Sequence, residues 1–376
     1  MSGIHHFVPV LHRGDAVGRH TVRLRDATRA RGFHSEIYVD TLDPQTADET
    51  LPVLSYADAA ERGDVVVYQF ATASAMAAWL ARRPETLVVN YHNITPPELM
   101  APWDNHLALG QLRAQGDLHL LAPRAALAVA DSAYNEAYLL GAGFSATAVV
   151  APSASLEVGP APSATAVPPA AALAGPGVEG PVTAGTARRG GRWLAVGRVS
   201  PNKALEATVA ALAVARAHGD PGATLQIVGK PATASYDAAL HRYVAELGLA
   251  GAVRFTGHAG DAAVAMAYRD ADVLVVTSEH EGFGVPVVEA MAAGLPVVAF
   301  DRGAIPEVLG GAGVLVADKD PYALAASIGA LLTDAPRRAS LTEAGRRRVR
   351  ELDLASAADR FVSLLVPLVG TVQRRA

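Results

Sequence analysis

Residues 272–300 read DVLVVTSEHEGFGVPVVEAMAAGLPVVAF, and this stretch decides the fold. Asp272 to Thr277 is a short apolar run rich in β-branched residues, the pattern of a buried strand. Ser278 to Val285 reads as a loop with two glycines and two glutamates. Pro286 suits the first helical position, where its missing N–H costs nothing. Val287 to Ala293 is then a short helix, closed by Gly294 in a left-handed cap. Leu295 to Phe300 is the next strand. Glu281 falls in the loop and Glu289, eight positions on, in the first turns of the helix. Two carboxylates and a pair of glycine N–H groups thus surround one helix N-terminus. Unpaired N–H groups and the helix dipole attract anions there. A phosphate accompanied by hydroxyls suits such a place, as in a nucleotide sugar.

Outward from this stretch the same alternation continues. Upstream, Trp193–Val196, Thr224–Val228 and Val253–Thr256 read as strands, and 205–218, 236–247 and 262–269 as helices. Downstream lie a strand at 314–316 and helices at 321–332 and 340–352, then a terminal helix over about 355–369. The first part repeats the style. Strands are predicted at 4–10, 36–39, 64–70, 86–91, 126–130 and 146–150, and helices at 19–30, 74–81, 107–120 and 133–140. Strands alternating with helices imply parallel sheets covered on both faces. Residues 153–190 differ in kind: Ala, Pro, Gly, Ser, Thr and Val dominate, without helical or strand period, so they read as a linker or mobile insertion. The expected organisation is a first α/β domain over 1–152, the linker, a second α/β domain over 191–352, and a C-terminal helix over 353–376. Ligands of open α/β sheets bind beyond the carboxyl ends of the strands, which places the site in the cleft between the two domains.

Composition narrows the chemistry. At 376 residues the chain is long enough for two cores, and 51% hydrophobic against 18% charged residues makes it globular. A net charge of −5 gives no electrostatic case for nucleic acid. With no cysteine, thiolate nucleophiles, disulfides and Cys-based metal sites are excluded. No signal-peptide pattern opens the sequence and no run approaches the ~20 apolar residues of a membrane span, so a cytoplasmic location is expected.

Further candidates follow strand ends. VGRVSPNKALEATVAAL places Arg198 and Lys203 around a Pro-Asn turn; by themselves they are two surface cations or an anion site. NYHNITPPE puts His92 and Asn93 at the end of a buried strand, where His92 either caps the strand or faces a ligand. HRGDAVGRH supplies Gly14, Asp15 and Gly18 without matching G-x-G-x-x-G. Asp15 there can cap a helix or meet an acceptor hydroxyl. Gly229 and Lys230 end another strand, and Asp301, Gly303 and Glu307 are expected on the nucleotide side. Asp270 and Asp272 form a D-x-D pair, read as ending a helix and opening a strand and not as a metal site. Arg19, Arg23, Arg25, Arg29 and Arg31 cluster on the first helix; a solvated face is preferred to membrane contact, since no broad apolar face accompanies them.

EGFGVPVVEAMAAGLPVVAF closely resembles the E-x7-E signature of retaining glycosyltransferases with the GT-B fold, in particular glycosyltransferase family 4. The resemblance implies that Glu281 meets donor-sugar hydroxyls and Glu289 the nucleotide ribose. It also implies that Gly282, Phe283 and Gly284 offer backbone N–H groups to sugar and phosphates. Arg198 and Lys203 look like the family's G-R-x-x-x-x-K element, whose cations neutralise the donor diphosphate. His92 would reach the donor sugar and the reaction centre. Gly14, Gly18 and Gly229 would approach the donor, and Asp15 and Asn93 the acceptor. The resemblance in fold implies that the C-terminal helix would cross back to the first domain. The implied activity is transfer of a sugar from a UDP-, GDP- or other nucleotide sugar to a hydroxyl acceptor with retention, no cofactor and no metal. Acceptor choice would lie in loops 11–18 and 93–106. Two other readings stay open: a non-catalytic nucleotide-sugar-binding protein, and a hydrolysing nucleotide-sugar epimerase on the same fold.

Overall fold

The computed structural model describes residues 2–153 and 190–370. Most of the segment expected as a linker, residues 154–189, lies outside the described residues, as do 371–376. Two wholly parallel sheets account for the strands. The first comprises β1 (Ile4–Val8), β2 (Ile37–Val39), β3 (Leu51–Pro52), β4 (Val65–Phe70), β5 (Thr86–Tyr91), β6 (Ala125–Ala130) and β7 (Thr147–Val149). Their spatial order is β3-β2-β1-β4-β5-β6-β7. The second comprises β8 (Arg192–Val196), β9 (Thr224–Val228), β10 (Val253–Phe255), β11 (Val273–Val276), β12 (Val297–Phe300) and β13 (Val314–Val316). Its order is β10-β9-β8-β11-β12-β13.

Both sheets therefore reverse direction once, between β1 and β4 and between β8 and β11. A crevice opens at such a reversal, because the flanking connections leave to opposite faces of the sheet. The loops after β8 and β11 carry Arg198, Lys203 and Glu281, so the candidate residues of the second domain gather at its switch point.

The central strands β4 and β5 are buried at every position, as expected when helices cover both faces. Cores lie on each side of each sheet. Phe7, Tyr56, Tyr68 and Leu118 fill one side of the first sheet, and Ile4, Leu24, Val67 and Val88 the other. The second side is completed from the far end of the chain. Phe361 and Leu365, on the helix Ala357–Leu365, are fully buried among those residues. Four residues earlier than that helix begins, Asp353 adopts a left-handed turn (φ 44°), and Leu354 still belongs to the second domain's core. The chain thus passes from second domain to first between Leu354 and Ala357.

Several local details differ from the sequence reading. Val285, not Pro286, is the first residue of the helix Val285–Ala293, so the proline takes the second position. Gly284 caps it in the left-handed region (φ 91°) and Gly294 closes it likewise (φ 76°). The helix placed at 340–352 starts at Ala335, because Asp334 caps it by accepting from the Arg337 N–H. Short elements such as β3 and the helix Ile305–Leu309 escaped the periodicity, being shorter than one period can reveal.

Candidate active site

The second-domain half of the site is built on three turns. After β8 the chain makes a single 3-10 turn, Pro201–Lys203, ended by Ala204 in the left-handed region (φ 46°). This turn directs Lys203 back over the strand end, and its Nζ meets Glu281 Oε2 at 2.5 Å. Asn202 Nδ2 donates to the His280 carbonyl at 3.2 Å, and the Glu279 N–H donates to the Asn202 carbonyl at 2.8 Å. The two loops are thereby tied together. Arg198 remains exposed and makes no ion pair among the described residues.

Glu281 is half-buried and paired with Lys203. Lys203 likewise holds a carboxylate rather than standing open to an anion. A small cavity lies against both, lined also by Gly197, Arg198, Thr277 and Gly284. Among the described residues, the N–H groups of Gly282, Phe283 and Gly284 have no acceptor. Pro286 has no N–H and the Val287 N–H donates to the Gly284 carbonyl at 2.9 Å, so the free donors are those of the loop itself. The Phe283 side chain itself is buried in the core and contributes only its backbone.

Glu289 sits one turn into that helix and accepts from Tyr268 Oη at 2.7 Å. Burial raises its pKa above the ordinary carboxylate range, and the Tyr268 hydrogen bond offsets this in part. Gly229 follows β9 with φ 153°; a side chain there would collide with the Gly197 carbonyl, which lies 1.9 Å from where a Cβ would stand. Only glycine lets the turns after β8 and β9 approach so closely.

The first-domain half is a buried polar network. His92 Nδ1 lies 3.1 Å from Asp131 Oδ2, and Nε2 lies 2.8 Å from Gln69 Oε1. Both ring nitrogens are thus engaged within the protein and the side chain is only 4% exposed. Gln69 and Asp131 thereby fix the orientation of the His92 ring. Gln69 also meets His6 Nδ1 at 3.2 Å and accepts from Asn90 Nδ2 at 2.9 Å. Asn90 reaches His20 Nε2 at 3.1 Å, and His20 Nδ1 accepts from the Ser153 N–H at 3.0 Å. Burial pushes the pKa of His6 down to about 3 and that of His20 well below the usual histidine range. Each ring also feels a neighbouring histidine. Both rings are therefore neutral near pH 7.

Other candidates fall as follows. Asp15 Oδ1 accepts from the Gly18 N–H at 2.6 Å, the helix-capping alternative. Gly14 faces His258 of the second domain across the cleft. Asn93 takes a left-handed conformation (φ 69°) and packs against Gly282. Asp272 binds Arg192 through Nη2 at 2.9 Å, and Asp270 ends the helix Asp261–Asp270. Glu307 does not lie on the nucleotide side: its carboxylate crosses to the first domain and accepts from the N–H groups of Ala133 and Tyr134. Of the basic cluster, Arg25 pairs with Asp26 and Glu49, Arg29 with Glu36, and Arg31 with Asp359. The sequence reading missed His20, Gln69, Asn90, Asp131, Ser132 and Tyr268. The one available signal was polar residues inside otherwise apolar strands, at Gln69 and Asn90. Among the described residues no helix is long and apolar enough to cross a membrane. A larger groove opens at the other end of the second sheet, between Arg192, Asp220, Tyr322 and Arg338, away from this constellation.

Two parallel α/β units with their switch points turned to a common cleft define the GT-B fold, and solved GT-B structures superpose on nearly the whole chain. The Anabaena protein HepE, solved in complex with UDP, aligns over 97% of this chain and 100% of its own at a TM-score of 0.71 and 20% identity. Sucrose-phosphate synthase from Thermosynechococcus elongatus aligns over 97% and 99% at 0.73 and 21%. The family model described as glycosyl transferases group 1 matches residues 190–334. The D-inositol 3-phosphate glycosyltransferase of Salinispora tropica is 36% identical over 184 residues, 46% of this chain and 37% of that protein. The MMP alpha-(1->4)-mannosyltransferase of Mycolicibacterium hassiacum is 38% identical over 144 residues, 37% of this chain and 34% of its own. The matched part thus spans little more than a third of the length of these curated relatives.

Proposed function

We propose that the protein is a retaining glycosyltransferase of family 4, transferring a sugar from a nucleotide sugar to an acceptor hydroxyl without a metal. The observation that carries the reading is the gathering of Arg198, Lys203, Glu281 and the free N–H groups of 282–284 at one switch point. Relatives named as glycosyltransferases and a fold neighbour holding UDP support it.

In this reading the donor diphosphate lies over the N-terminus of Val285–Ala293 and takes Lys203 from Glu281. The freed carboxylate then accepts from sugar hydroxyls, while Glu289 accepts from the ribose. As the bond from sugar C1 to phosphate oxygen breaks, negative charge grows on the departing diphosphate. Arg198, Lys203 and the loop N–H groups stabilise that charge where it develops. The acceptor oxygen attacks C1 from the same face and its proton passes to the departing phosphate oxygen. No protein nucleophile is required. His92, fixed by Asp131 and Gln69, forms the facing polar wall.

The test is a thermal-shift series with UDP-, GDP-, ADP- and dTDP-sugars, since a ligand stabilises by RT ln(1 + [L]/Kd). One donor class should raise the melting temperature, and product from that donor should carry the donor's anomeric configuration by NMR. Inverted product, or activity strictly dependent on a divalent ion, would overturn the corresponding part. Binding without transfer to any acceptor in a broad panel would favour a binding protein.

A further inference from the structure

A clasp joins the two domains beside the glycine-rich loop. Ser132 caps the helix Ala133–Gly141, accepting from the Asn135 N–H at 3.1 Å. Its own hydroxyl donates across the seam to the Gly282 carbonyl at 2.6 Å, fully buried. The next two amides of the helix also point across. Ala133 N–H donates to Glu307 Oε1 at 3.0 Å and Tyr134 N–H to Glu307 Oε2 at 3.3 Å. A second-domain carboxylate therefore occupies the positive end of a first-domain helix. Arg348 Nη2 donates to the Glu307 carbonyl at 2.8 Å, which anchors the clasp in its own domain. Tyr134 Oη adds a contact to His280 Nδ1 at 3.2 Å.

The same seam carries a cost. Both amide atoms of Asn135 and Asn93 Oδ1 are buried beside Gly282 without partners, and opening would return them to water. The clasp bonds offset that cost, so closure depends on them. Closure also fixes a peptide. In a planar trans peptide the carbonyl oxygen and the following N–H point in opposite directions. Holding the Gly282 oxygen on Ser132 turns the Phe283 N–H away from the first domain, where it has no acceptor among the described residues.

We infer that Ser132 and Glu307 are positioning residues: domain closure through them sets the Gly282–Phe283 peptide and so prepares the loop for the departing diphosphate. The inference rests on the donor-site reading given above. Neither residue touches the reacting atoms.

The test uses Ser132→Ala and Glu307→Gln in the full chain. Because the protein has no cysteine, single cysteines replacing exposed Asp48 and Glu246 allow spin-label distances between the domains. Both clasp variants should lengthen and broaden the interdomain distance. They should lower kcat about tenfold while leaving donor affinity, by calorimetry, within about twofold, since the lost bonds act on closure rather than on donor contact. Unchanged distances and kcat in both variants would overturn the inference, as would a loss confined to donor affinity. A wild-type chain that binds no nucleotide sugar removes the donor-site reading, while the distance measurement still decides the clasp.

Discussion

At Lys203 and Glu281 two opposite charges lie 2.5 Å apart at the mouth of a cavity. In the proposed reading, each satisfies the other until the donor's diphosphate and hydroxyls replace them. Lys203→Ala should weaken nucleotide-sugar binding about ten- to hundredfold, the worth of a charge-assisted hydrogen bond. Arg198→Ala should act in the same direction, and unchanged titrations in both would remove the diphosphate assignment. Glu289 gives a pH signature. Its pKa is raised, chiefly by burial, so the free protein holds a proton there at pH values where an exposed glutamate is ionised. A ribose hydroxyl donates best to the ionised form. Donor affinity should therefore rise as pH increases through the raised pKa, with proton release on binding, and Glu289→Gln should flatten the profile. Calorimetry in buffers of different ionisation enthalpy reads both effects.

The glycine-rich loop owes its shape to its neighbours as much as to its own residues. A Cβ at Gly282 would stand 2.4 Å from Asn93 Cβ and 2.8 Å from Asn135 Nδ2. Gly282→Ala should thus hold the domains apart and abolish turnover, with the melting temperature little changed because each domain keeps its own core. A fall in melting temperature equal to that of a core variant would contradict this. The helix Ala357–Leu365 illustrates the reverse case, where an element's place comes from burial. Phe361 is completely buried against the first sheet, so Phe361→Ala should cost about 3–5 kcal/mol in denaturant unfolding. A cost below about 1 kcal/mol would mean that the helix is not needed to cover that face.

For the molecule as a whole, buried neutral histidines link stability to pH. His5, His6 and His20 of the first domain and His280 of the second all have pKa values lowered first by burial. The unfolded chain takes up protons near the ordinary value of about 6.5, while the folded chain refuses them until lower pH. Stability is then complete above about pH 6.5 and falls on acidification, by up to about 1.4 kcal/mol per pH unit for each such histidine. Melting temperatures should hold between pH 7.5 and about 6.5 and decline from there to pH 5.5, and His20→Asn should lessen the decline. A flat profile would mean that these rings protonate in place.

Much of this architecture was written in local sequence. The strand–loop–helix–strand of 272–300, the Gly294 cap and the alternation in both halves follow from periodicity and turn chemistry, which act over a few residues. Those forces also placed Arg198, Lys203, His92 and Glu281 at strand ends. They could not say what each side chain touches. Lys203 meets Glu281 across 78 residues, His20 meets Ser153 across 133, and Ser132 meets Gly282 across 150. Glu307 was expected on the nucleotide side and instead meets the first-domain amides of Ala133 and Tyr134 for that reason, and the Gln69 and Asp131 partners of His92 were not legible. By itself, then, the sequence determined two parallel α/β units and a glycine-rich, acid-flanked helix N-terminus, because backbone preference and apolar period are local. Only the tertiary structure decided which charges neutralise one another and how the domains clasp, because those pairings depend on packing between segments far apart in the chain.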